Sequence, residues 1–160
     1  MSMYMNFFLR GKDRFYPITT YSRSAMVYSV FSRTFGSGRL WEKVAPITED
    51  KLNLMLREIS DDIRKNQDVI KSYEKYIDII KTMSNSAEEK MELINNCLGM
   101  IEEYEEEIRD LRYTRTFITF LNDMIDEVRW SDEEDGFNPD EYIYVGIEIS
   151  NPTEEDISVA

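Results

Sequence analysis

From Leu52 onward the chain places Leu56, Ile59, Ile63, Asn66, Ile70, Tyr73, Ile77 and Ile80 at alternating steps of four and three without a break. Only an α-helix returns residues so spaced to one face, and four heptads of it run for roughly 43 Å. A narrow apolar seam of that length must be covered by another helix. The same chain supplies one: Ile94, Cys97, Ile101, Tyr104, Ile108 and Leu111 repeat the spacing. Between the two runs, Met83-Ser84-Asn85 supplies a turn, and Ser86 with Glu89 three residues on reads as a capping box. Thr48, followed by Glu49 and Asp50, reads as the N-cap of the first helix. The expectation is an antiparallel helical hairpin over residues 48–130. Asn66 in mid-seam reads as an amide that fixes register or partner number. Beyond Leu111 the seam resumes at Thr114, Ile118, Leu121, Ile125 and Val128 after an extra step of three, a stammer. Phe117, Phe120 and Met124 widen the apolar face there, so residues 114–128 are expected to pack on something broader, most simply a sheet.

The flanks supply that sheet. Tyr4 to Arg10 alternates, with aromatics in both sets, as a strand covered on one face and partly on the other. Gly11-Lys12-Asp13 is a turn, and Arg14 to Tyr21 reads as the returning strand, with Pro17 placing it at an edge or a bulge. A short helix begins near Ala25, capped by Ser22 or Ser24, and stops at Gly36. Leu40 to Ala45 alternates as a third strand, and Tyr142 to Ile149 is the clearest strand of all, expected to join the N-terminal hairpin. The fold class is therefore α+β: a small antiparallel sheet with a short helix, and a long helical hairpin inserted before the last strand. Residues 1–150 read as one domain, with sheet segments 1–47 and 137–150, and residues 151–160 as a frayed acidic end.

Composition narrows the chemistry. The chain has no histidine and one cysteine, which excludes Ser-His-Asp and Cys-His catalysis, histidine-ligated zinc and an intramolecular disulfide. Cys97 lies in the seam and reads as a small core residue. There is no glycine-rich phosphate loop, no G-x-S-x-G and no H-E-x-x-H. A carboxylate-metal nuclease is the catalytic class composition leaves open, so the chain reads as a non-enzyme without cofactor or metal. Ser131 to Gly136 resembles a calcium loop only until its twelfth position, Tyr142, where an acid is required. No run approaches the ~18 apolar residues of a membrane span, and no signal layout opens the chain, so a cytoplasmic protein without membrane contact is expected.

Charge is uneven. Residues 1–45 carry seven basic against two acidic side chains, +5, and half of the 20 aromatics; the remainder nets −18. Two surfaces follow. In the first, Arg10, Lys12, Arg14, Tyr21, Ser22, Arg23 and Ser24 form a phosphate or nucleotide cradle, with hydroxyls and N–H groups at a helix start and a ring for stacking. The plain alternative is an N-cap beside solvated arginines. In the second, Glu102, Glu103, Glu105, Glu106, Glu107 and Asp110 form an acidic helical face for a basic protein partner, with too few lysines nearby to read it as ordinary ion pairing. Its plain alternative is the solvated outside of a coiled coil.

In size, acidity, lack of catalytic residues and its helix-plus-sheet layout, the chain resembles the small acidic inhibitors that phages and mobile elements carry against host defences, the anti-CRISPR proteins among them. The resemblance rests on no residue motif and assigns no residue a role. It implies stoichiometric binding to a Cas nuclease or similar effector, in the cytoplasm of a bacterial host. The contrasting expectation is a nucleotide- or nucleic-acid-binding protein, a signal sponge or accessory factor, using the basic N-terminal surface. A homodimer through the helical hairpin is a third.

Overall fold

The computed structural model describes residues 4–11, 14–21, 25–36, 39–132 and 143–157, with backbone only at 25–28, 39 and 128–132. The class is α+β. Strands β1 (Met5–Arg10), β2 (Phe15–Tyr21), β3 (Ala45–Pro46) and β4 (Ile143–Ile147) form one antiparallel sheet in the order β2-β1-β4-β3. Helix α1 (Ala25–Phe35) and a single turn α2 (Arg39–Glu42) precede β3, and the long helices α3 (Glu49–Thr82) and α4 (Ala87–Asp132) lie between β3 and β4. Among the described residues no helix is long and apolar enough to cross a membrane.

The chain divides into two compact units, and the cuts fall inside both long helices. The sheet unit comprises residues 1–58 and 115–160, and the hairpin unit residues 59–114. The first turns of α3 and the last part of α4 thus belong with the sheet, where the sequence places the boundaries at 47 and 137. This division also dissolves the charge split. The +5 segment shares its unit with thirteen acids beyond residue 115, so the sheet unit nets −7 and the hairpin unit −6.

Both faces of the sheet are covered, which explains its aromatic strands. On one face Phe7 meets Phe31 of α1 and Phe117 of α4, edge to face at ring separations of 5.7 and 5.0 Å. On the other, Phe8, Val44 and Tyr144 form a cluster flanked by Phe15, Ile149 and Ile157. All five residues of β4 are buried, as befits a central strand. Full burial of each large side chain contributes about 1.5–3 kcal/mol. Edge strand β2 carries a bulge: Phe7 faces Thr19 but Phe8 faces Pro17, so the register absorbs one extra residue beside the proline that lacks a donor. Helix α1 stops as expected, at Gly36 with φ 91°, whose N–H donates to the Ser32 carbonyl at 2.8 Å.

Three expectations are corrected. Leu40 to Ala45 is not a strand: Arg39–Glu42 is a helical turn, and only Ala45–Pro46 pairs, with β4. An extended Leu40–Val44 would aim Glu42 into the core with its neighbours; the turn buries Leu40 and Val44 and leaves Glu42 in water. The last strand ends at Ile147, because Glu148 adopts φ 61°. That left-handed step costs about 1–2 kcal/mol and is offset by two hydrogen bonds, Glu148 N–H to the Tyr4 carbonyl (2.9 Å) and Tyr4 N–H to Glu148 Oε1 (3.2 Å). It also swings Ile149 onto the Phe8 face, opposite to strand parity. Finally, the acidic end from Asn151 to Ile157 is tied down rather than frayed. Glu154–Asp156 forms a 3-10 turn, Val44 N–H donates to the Asp156 carbonyl (2.8 Å), Lys43 Nζ donates to the Glu155 carbonyl, and Ile157 bridges Val44.

In the hairpin unit the seam is as expected. Ile59, Ile63 and Ile80 of α3 are buried, as are Cys97, Ile101, Ile108, Leu111 and Thr114 of α4. Tyr73 and Tyr104 meet at 6.3 Å between ring centroids. The Thr114 hydroxyl is satisfied by the Asp110 carbonyl at 2.9 Å. Ser86 caps α4, its hydroxyl accepting from Glu89 N–H at 3.2 Å, while the Glu89 carboxylate accepts from Asn85 Nδ2 at 3.1 Å. At the other cap, Thr48 Oγ1 accepts from Lys51 N–H at 3.3 Å.

Candidate functional site

The described members of the basic N-terminal set do not converge. In the β1–β2 register Arg10 faces Phe15, whereas Tyr21 faces Met5 at the other end of the ladder. Five residues of strand separate them, about 17 Å. Arg10 is engaged within the fold: Nη1 donates to the Tyr144 hydroxyl at 3.0 Å, and Nη2 pairs with Glu154 at 2.6 Å. Burial works to lower the pKa of this guanidinium, yet the hydrogen bonds and charges of Tyr144 and Glu154 together raise it. Arg14 lies over the Tyr16 ring at 4.5 Å, and the Tyr21 ring rests 4.9 Å from that of Phe117. Lys12, Ser22, Arg23 and Ser24 lie outside the described residues. The three described members of the cradle are therefore split between opposite ends of β1, and one of them closes the fold.

The acidic set is brought together. Glu102, Glu103, Glu105, Glu106, Glu107 and Asp110 occupy every position between the seam residues Ile101, Tyr104, Ile108 and Leu111 except Arg109, and all six are exposed. Among the described residues none of the six carboxylates has an ion-pair or hydrogen-bond partner. The bias belongs to one helix. Residues 59–82 of α3 carry five acids and five bases, whereas residues 87–114 of α4 carry nine acids and three bases. Like charges four apart, such as Glu102 with Glu106 and Glu103 with Glu107, each cost the helix about 0.2–0.5 kcal/mol.

The spacing gives this face a high linear charge density. Six acids over eight helical rises span about 12 Å, one charge per ~2 Å, close to the ~1.7 Å per charge of duplex DNA. Leu98, 50% exposed, stands one turn before Glu102 on the same row. Beside it Gly99 faces open space, with no atom within 4 Å of where a Cβ would lie. Packing among the described residues does not require a glycine there, and a mid-helix glycine costs about 1 kcal/mol relative to alanine.

Sequence reasoning missed one feature. Phe120, expected to pack on the sheet, is 49% exposed. It lines an open groove of about 560 Å³ in the sheet unit with Leu56, Arg115, Thr116, Thr119 and Asp123. Phe117 alone of the two phenylalanines meets the sheet aromatics. Three residues earlier than Phe120, it falls on the buried side of the helix; the signal was the phase of the shifted seam. Among the described residues no group of three or more acidic or cysteine side chains is placed to hold a metal ion. The loop-like run at 133–136 lies outside the described residues.

No known protein family, no characterised protein and no solved structure matches the chain. The functional reading therefore rests on side chains alone.

Proposed function

We propose that the chain is a non-catalytic binding protein whose α4 acidic face occupies a basic, nucleic-acid-accepting groove of another protein. One observation carries this reading: six unpartnered, exposed carboxylates stand along about 12 Å of one helix at nearly the charge density of a duplex, at a cost to that helix. Such a face repels nucleic acid, steers toward basic surfaces and competes for phosphate-binding arginines and lysines. Leu98 beside it offers an apolar anchor of the kind that fixes register in an otherwise electrostatic interface. The role of a phage-encoded inhibitor of a host-defence nuclease, such as a Cas effector, fits this mode, because blocking a nucleic-acid channel needs no turnover.

The test is competition. A partner captured by the protein should be released by a short duplex DNA or RNA, and its affinity should fall steeply between about 50 and 200 mM salt. Binding indifferent to both would remove the reading. Material absorbing at 260 nm that copurifies with the protein, and is lost in Arg14→Ala/Arg23→Ala, would instead favour a nucleotide or nucleic-acid binder.

A further inference from the structure

We infer that the groove beside Phe120 is a two-fold interface for a second copy of this chain, with α4 packing antiparallel on α4 about Thr119. The inference does not depend on the acidic face, and the failure of either leaves the other standing.

Charge is ordered along a single exposed strip. Arg115, Thr116, Thr119, Phe120 and Asp123 follow one another on the outside of α4, all exposed, with Leu56 of α3 half-buried beside them. The strip has a cation at its N-terminal end and an anion at its C-terminal end, eight residues or about 12 Å apart. Among the described residues neither side chain has an ion-pair or hydrogen-bond partner. In a closed two-fold contact residue i meets j and j meets i. Centred on Thr119, that operation sets Arg115 against Asp123 of the second copy, and Asp123 against Arg115. One symmetric contact then answers both charges of each copy, in two ion pairs. The middle of the strip suits close approach: Thr116 and Thr119 are small, with Thr119 Oγ1 already donating to the Arg115 carbonyl at 2.9 Å. Phe120 then enters the facing groove toward Leu56, removing from water an aromatic ring that the monomer leaves half exposed.

A small number of residues on each side makes a contact below the standard size, and each copy carries −13. The dimer is accordingly weak, of the order of ~10–100 μM. Sedimentation equilibrium of the full chain up to about 1 mM tests it. The wild type should rise toward twice the monomer mass. R115D and D123R should each stay monomeric, since both create two like-charge contacts. Mixed together they should dimerise, because R115D presents two acids to the two arginines of D123R. The double variant R115D/D123R, with its pairs reversed, should dimerise like the wild type. Circular dichroism of each exposed-site variant checks that the helices persist, and F120S, which keeps both charges, should weaken association at least tenfold. A wild type that remains monomeric, single variants that dimerise unchanged, or a mixture that stays monomeric would each overturn the inference.

Discussion

The sheet unit and the turn of the hairpin unit use polar side chains over different distances. In the sheet unit, side-chain bonds join residues far apart in sequence: Arg10 to Tyr144 and Glu154, Asn6 to the Ile149 carbonyl, Lys43 to the Glu155 carbonyl. In the hairpin unit the turn between the helices is held by local bonds, as from Lys90 to the Lys81 carbonyl nine residues away and from Glu89 N–H to the Ser86 hydroxyl. The first pattern closes a fold whose ends must find each other, and it engages Arg10 and Lys43 in structural work. On α4 the six carboxylates from Glu102 to Asp110 are left to water, or to a partner. In the region with the more suggestive local sequence, the basic aromatic N-terminus, the described residues Arg10, Arg14 and Tyr21 are thus engaged by folding. The monotonous acidic helix is the one with chemistry free.

The largest effect that could break this contrast lies in the sheet. A Cβ on Gly146 would sit 2.8 Å from Val44 Cγ1, a stiff side chain in the Phe8 cluster. Gly146→Val should lower stability by about 2–3 kcal/mol, read as a fall in the urea midpoint. An unchanged midpoint would mean that this face is not closely packed. The hairpin offers the opposite sign. Asn66 Nδ2 is buried in the seam without a partner among the described residues. Asn66→Leu should raise stability by about 1–2 kcal/mol in the same titration. A loss would show that the amide finds a partner, as in a register-setting seam contact. A smaller gain, about 0.5–1 kcal/mol, is expected from Gly99→Ala, because no packing among the described residues requires the glycine. Weakened partner binding in that variant would place Gly99 in the interface.

The smallest effect concerns the C-terminal tie. Hydrogen bonds from the Thr153 N–H and hydroxyl hold the Asp156 carboxyl below the usual carboxylate range. A depressed folded-state pKa contributes stability that is full above the unfolded value and is lost as pH falls through the folded one. The tie should therefore hold at neutral pH and loosen below about pH 4. Protection of the Val44 amide, which donates to the Asp156 carbonyl, should fall there, measured against the unfolded-chain exchange rate at the same pH. In Asp156→Asn that pH dependence should disappear.

What the sequence made legible was local. The seam from Leu52 to Ile80, the Thr48 and Ser86 caps, the stop at Gly36 and the bulge beside Pro17 each depend on neighbours within a few residues. The return of the last strand to β1 was legible because Ile143, Val145 and Ile147 read so strongly as strand. What escaped was settled at long range. Leu40 to Ala45 alternates well enough for a strand, and only the need to keep Glu42 out of the core selects a helical turn. No local signal shows that Glu148 reverses the parity of Ile149, or that Arg10 finds Glu154 across 144 residues. The separation of the described cradle residues escaped for the same reason. Arg10 and Tyr21 are near in sequence, but a hairpin ladder sends them to opposite ends. The acidic face was fully legible, since its residues and their exposure follow from one helix and one seam.

The proposal assigns binding to the acidic face of α4 rather than to the N-terminal strands. Its most direct test is a side-by-side titration of the captured partner with E103K/E107K and with Arg14→Ala/Arg23→Ala, each checked for helix content. The charge-reversed helix should bind at least a hundredfold more weakly, and the arginine variant should change by no more than twofold. The reverse order, with the helix variant binding normally and the arginine variant failing, would contradict it.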